Sequence, residues 1–207
     1  MAPVEMVVEI LLVAFGVVLA LWYENLGSPR LRMSIAEPSD HDQRPGNIRA
    51  RFIHLWVENN PRRLWLVPRQ TAYACRGTIT FLDDGGDVIA EDMPIKWDSN
   101  PEPLKYELDN KGELRTLPDP RFLHVSRRIA IPHGQSETLA VAVRVHGETE
   151  VYGWTPESYF RSWRHEDYRL PDGGISARVS IATGDRTFPD EFRIRNPENL
   201  SEFNIER

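Results

Sequence analysis

The chain has 207 residues, 41% of them hydrophobic and 27% charged, the proportions of a folded protein rather than a disordered tail. Its formal net charge of −6 argues against general nucleic-acid binding, which needs a clustered basic surface. The single cysteine, Cys75, excludes an internal disulfide and any multi-cysteine metal site.

The first element is the strongest. Met6 to Tyr23 is apolar apart from Glu9, and no comparable run follows. At about 1.5 Å per residue this run gives roughly 27 Å of helix, enough for a bilayer core about 30 Å thick. No Lys or Arg precedes it and no small-residue cleavage site follows it, as a cleaved signal peptide would require. Glu9 alone does not make the polar face of an interfacial helix. Trp22 and Tyr23 stand where an aromatic interface belt would place them. Residues 1–25 are therefore read as a transmembrane anchor, with the bilayer as partner of residues 6–23. Basic residues near the span lie only on its C-terminal side (Arg30 and Arg32, then Arg44, Arg49 and Arg51), which points to a cytoplasmic domain. An exported domain is the alternative.

Residues 26–48 form a juxtamembrane segment in which Leu31–Ile35 alternates as a first strand. The main domain is expected over 49–196, with a C-terminal tail at 197–207. Ile48–Val57 carries apolar groups on both parities, as a central strand does. Leu64–Val67 resumes the pattern briefly. Ala72–Leu82, the turn Asp83-Asp84-Gly85-Gly86 and Asp87–Ala90 predict a hairpin. Ile95–Trp97 is a short apolar island, and 98–121 is turn-rich and read mostly as loop. Arg127–Ile131 and Thr138–Val145 flank a Pro-His-Gly turn. Ile175–Ala182 and Glu191–Ile194 flank Gly184-Asp185. Seven to nine such strands predict an antiparallel β-sandwich in which Trp56 and Cys75 lie in the core.

One segment differs. Thr155-Pro156-Glu157 is a helix start, and Tyr159 and Trp163 are four residues apart, so a short helix is expected near 155–164.

Leu55-Trp56-Val57-Glu58-Asn59, then the alternating run from Ala72 to Phe81 with its acidic Gly turn, resembles the opening of immunoglobulin-like sandwiches of the CARDB and related adhesion type. Ile131-Pro132-His133-Gly134-Gln135-Ser136 with Leu139-Ala140-Val141 is similar to their later turn and strand. The resemblance covers about half the chain and implies a non-catalytic binding module. The chain departs from that pattern in its longer Asn-Asn-Pro-Arg-Arg loop and in the extra helix near Tyr159.

Catalytic signatures are lacking: there is no G-x-S-x-G, H-E-x-x-H, Walker loop or dinucleotide fingerprint. Asp40-His41-Asp42 reads as a polar linker, because adjacent residues point apart, and Asp83, Asp84 and Asp87 read as a hairpin turn without calcium-loop spacing. No metal or cofactor is expected. Tyr152, Trp154, Tyr159, Phe160, Trp163 and Tyr168 are more aromatics than one loop needs. They form either a plug over one end of the sandwich or a partner surface carried by Tyr159, Phe160, Arg161, Trp163 and Arg164. The expected role is protein interaction or scaffolding by a single-pass membrane protein that is not an enzyme. An outward-facing ligand-sensing or accessory subunit is the alternative.

Overall fold

A computed structural model describes residues 3–43, 48–60, 69–122, 127–160 and 163–207. The expected strand at Leu64–Val67, Arg44 and the candidate site residue Arg161 lie outside the described residues. In chain order the elements are α1 (Pro3–Gly27), β1 (Leu31–Ile35), β2 (Ser39–Gln43), β3 (Ile48–Asn59), β4 (Ala72–Leu82), β5 (Val88–Pro94), β6 (Lys96–Trp97), β7 (Leu104–Leu108), β8 (Leu114–Pro118), β9 (Ile129–Ile131), β10 (Ser136–Val145), β11 (Val151–Gly153), β12 (Arg169–Leu170), β13 (Ile175–Thr183), β14 (Arg186–Arg195) and β15 (Asn204–Glu206).

The apolar run forms one continuous helix. From Met6 to Gly27 its mean hydropathy is 2.4, and the apolar run from Met6 to Tyr23 is exposed, so its length and composition suffice to cross a membrane. Among the described residues, contact with the body comes at its C-terminal end, where Gly27 is buried. Gln70 N–H donates to the Gly27 carbonyl at 2.7 Å, and the Arg186 guanidinium to Asn25 Oδ1 at 3.0 Å.

The body is antiparallel throughout, as the alternating segments require. The first sheet runs β1-β3-β10-β11-β12, with β2 beside β1 on β3 and β6 beside β11 on β10. The second runs β15-β14-β13-β4-β5, with β9 on the N-terminal half of β4. Inward residues of both sheets share one core: Ile53, Leu55 and Val57 of β3 are fully buried, as are Ile175, Ala177, Val179 and Ile181 of β13. A sheet curls into a half-barrel rather than lying flat, so the immunoglobulin-like expectation holds only as an all-β antiparallel fold with an N-terminal apolar helix. Irregular pairing in β4, where Ala74 takes a φ of +51°, contributes bends of the kind that curl a sheet.

Cys75 is fully buried as expected, whereas Trp56 is 41% exposed. Trp56 shares the parity of Phe52 and His54, and the inward parity of β3 belongs to Ile53, Leu55 and Val57. The hairpin β4–β5 closes as the sequence suggests, with Gly86 at φ +85° and Asp83 Oδ1 accepting from the Gly85 and Asp87 amides. Residues 98–121, expected as loop, hold a separate hairpin, β7–β8, with Tyr106, Leu108 and Leu114 exposed. The C-terminal segment packs into the body: β15 pairs with β14, and Phe203 and Ile205 enter the core.

Candidate functional site

β3 and β10 are covered on both faces. A register shift between Ala140 and Ala142 lets Leu139 and Val141 face the shared core while Ala140, Val143 and Val145 face outward. On that outer side they meet a second, smaller apolar cluster with Ala50, Phe52, Tyr152, Trp154 and Tyr168. This layer explains why Ile48–Val57 is apolar on both parities.

The aromatic segment builds the cover. Trp154 leaves β11 and sets its ring edge-on to Phe52, 4.9 Å between centroids. Thr155 then caps a single 3-10 turn, Pro156–Tyr159, which stands where a longer helix was expected. The Thr155 side chain accepts from the Glu157 amide, and Pro156 needs no partner at the first turn, so the cap local to this sequence stops short of an α-helix. Tyr159 and Trp163 both lie against Trp154, at 5.5 and 6.3 Å, and Trp163 also meets Tyr152 at 5.8 Å. The group thus covers the outer face of the first sheet rather than one end of the body. Phe160 is half-buried. Arg164 is exposed, its guanidinium 4.9 Å above the Trp163 ring and paired with Glu148 at 2.9 Å.

Beside this cover lies a polar network that the sequence did not signal. His54 of β3, Ala140 of β10 and Lys96 of β6 are partners in register, forming a row across three strands. His54 is buried. Its Nε2 lies 2.7 Å from Ser39 Oγ, and its Nδ1 lies 2.9 Å from Asp98 Oδ2, short but off the in-line direction of a good hydrogen bond. The exposed His41 sets its own Nε2 3.0 Å from the same Ser39 oxygen. Burial alone would raise the Asp98 carboxyl, but the hydrogen bond and charge of His54, with Lys96 and Thr138, outweigh it and hold the group below the usual carboxylate value. Burial pushes the Lys96 ammonium down despite Asp98 and Glu102 nearby. Tyr159 joins the two halves by donating its hydroxyl to Glu102 Oε1 at 2.9 Å; burial, then Glu102, drive its ionisation far above the ordinary phenol range.

Other sequence candidates are occupied elsewhere. Asp40 pairs with Arg49 and Arg51 at 3.2 and 3.3 Å, turned away from His41. Asp84 binds Arg193 and the Gly174 amide. Among the described residues no three His, Cys, Asp or Glu side chains cluster as a metal site. Two shallow depressions lie away from this face, one along β7–β8 and one around Arg144 and Asn196. Ser39, His54 and Asp98 stand 15 and 44 residues apart, so no local motif joins them; only the fold does.

No known protein family matches the sequence, and no curated protein does. Among solved structures, a family 123 glycoside hydrolase from Clostridium perfringens aligns over 81% of this chain and 27% of its own, at 12% identity and a TM-score of 0.34. That likeness is too slight to bear on fold or activity.

Proposed function

We propose that this chain is a single-pass membrane protein whose β-sheet body is an interaction or scaffolding module, and that it meets a protein partner through the outer face of its first sheet. Its body would then work by recognition, as immunoglobulin-like adhesion modules do. The observation that carries this reading is the composition of that face. Trp56 is exposed there at 41%, and the segment that covers the face carries half-buried Tyr159, Phe160 and Trp163 and the exposed Arg164. Trp, Tyr and Arg supply most of the binding energy at interfaces, usually from a few central positions. The bilayer is the second partner, through residues 6–23. The domain is proposed to face the cytoplasm, from the arginines that follow the span.

Quantitative co-purification of the detergent-extracted chain tests this. Trp56→Ser should lose a discrete partner while retaining the wild-type melting temperature. Arg178→Ala, on the exposed side of β13 in the second sheet, should retain it. Equal recovery from both variants would refute the assignment of the face.

A further inference from the structure

The contacts around His54 fit one proton order. An ionised Asp98 has only acceptors, so the tautomer with hydrogen on Nδ1 faces it across 2.9 Å, although not along the in-line direction of a good hydrogen bond. In that tautomer Nε2 is a lone pair, and the Ser39 hydroxyl donates to it across 2.7 Å. In the same order Ser39 Oγ accepts across 3.0 Å from His41 in the tautomer with hydrogen on Nε2. The order is carboxylate, imidazole, hydroxyl, with a second imidazole N–H directed at the hydroxyl oxygen. A nucleophile, a base within hydrogen-bond reach and a group that orients the base are the three parts of a serine acyl-transfer site, wherever they fall in a sequence.

We propose that Ser39, His54 and Asp98 form a serine esterase-type site, with Ser39 as nucleophile, His54 as general base and Asp98 as the positioning residue that holds the tautomer. This departs from the expectation of a non-catalytic module and does not depend on a protein partner. Ser39 Oγ bonds to the ester carbonyl carbon as its proton passes to His54 Nε2. The tetrahedral centre collapses with cleavage of the carbon–alkoxy bond, and the departing alcohol takes the proton from His54. Water then attacks acyl-Ser39, gives a proton to His54 and releases the carboxylic acid, and that proton returns to Ser39. His41, with Nε2 3.0 Å from Ser39 Oγ, would be the donor offered to the developing oxyanion. The substrate class follows from the surroundings. Ser39 is half-buried, and Trp56, on the same parity of β3 as His54, exposes its indole, which suits a carboxylic ester with an apolar or aryl group. A single imidazole donor favours esters of good leaving alcohols over amides.

The test uses the full chain in detergent micelles with a fluorophosphonate probe. Its P–F bond breaks as Ser39 Oγ bonds to phosphorus, and fluoride leaves. Peptide mass spectrometry should place the adduct on Ser39, and heat-denatured protein should not react. His54→Gln should label at least about 100-fold more slowly, the size of effect a positioned general base supplies. Should that variant fail to fold, Ser39→Ala decides: it should melt like wild type and take no label. An adduct elsewhere, no adduct, an equal rate in a folded His54→Gln, or label retained by Ser39→Ala would overturn the proposal.

Discussion

Asn59 is the residue on which the membrane-proximal end of the body closes, and replacing it is the sharpest test of the packing. It is fully buried at the end of β3. Its Nδ2 donates to the Gln70 carbonyl at 2.9 Å and to the Ile131 carbonyl at 3.1 Å, and its Oδ1 accepts from the Arg30 amide at 3.4 Å. One side chain thereby joins the start of β1, the approach to β4 and the end of β9, next to the Gln70–Gly27 bond that holds the end of α1. In Asn59→Ala the Ile131 carbonyl is left unpaired in the interior, at a cost of about 1–3 kcal/mol. The Gln70 carbonyl lies nearer the surface and is rehydrated, so its loss adds about 0.5–1.5 kcal/mol. A total of about 2–4 kcal/mol is expected from urea unfolding in mild detergent, followed by tryptophan emission. Asn59→Asp supplies the control, since an acceptor-only carboxylate would face two carbonyl oxygens and should be at least as damaging. A loss below about 0.5 kcal/mol, or better tolerance of Asp than of Ala, would show that the hydrogen bonds do not hold this corner.

Three further outcomes follow from the same geometry. Trp163→Ala should cost about 1.5–3 kcal/mol, less than the ~3–5 of a fully buried tryptophan because the ring is only half-buried, while Arg164→Ala should change stability by no more than about 0.5 kcal/mol; a Trp163→Ala protein that melts like wild type would move Trp163 from the cover to the binding surface. Burial raises the Cys75 thiol above its ordinary value, so folded protein should resist thiol reagents, and the associated stability should be full below the ordinary thiol pKa and fall as pH rises through the folded one; rapid alkylation in the native state would contradict the burial. Asp98 is held below the usual carboxylate value, so its contribution is present above the unfolded pKa and should be lost as pH falls through the folded one; Asp98→Asn should abolish that acid-limb loss, and an unchanged acid limb would show that Asp98 does not contribute to it.

How much of this was legible in the sequence depended on whether the controlling interaction was local. The anchor was plain, because an eighteen-residue apolar run whose one charge is Glu9 signals itself. The β4–β5 and β13–β14 hairpins were also plain, since alternating strands flank turns rich in Asp and Gly. Trp56 was misplaced because alternation identifies two faces without saying which is inward, and both faces of β3 are apolar. The outer one is covered by chain that arrives a hundred residues later, at Trp154. Among the described residues the expected helix is a single 3-10 turn, because its cap and proline are start signals that carry no information about length. The β7–β8 hairpin escaped notice because its apolar side, with Tyr106, Leu108 and Leu114, is short and set among prolines and charges. The Ser39–His54–Asp98 network had no local trace at all. Its members come from β2, β3 and the end of β6, which only sheet pairing brings together.

The claim that this is a membrane-anchored domain is tested most directly by mass spectrometry of the chain extracted from membranes of the cells that make it. The account predicts that the extracted species retains peptides from within residues 3–27 and leaves the membrane only with detergent. A membrane-free species that begins beyond Tyr23 would show instead that the helix is removed as a signal sequence, and would contradict the anchor.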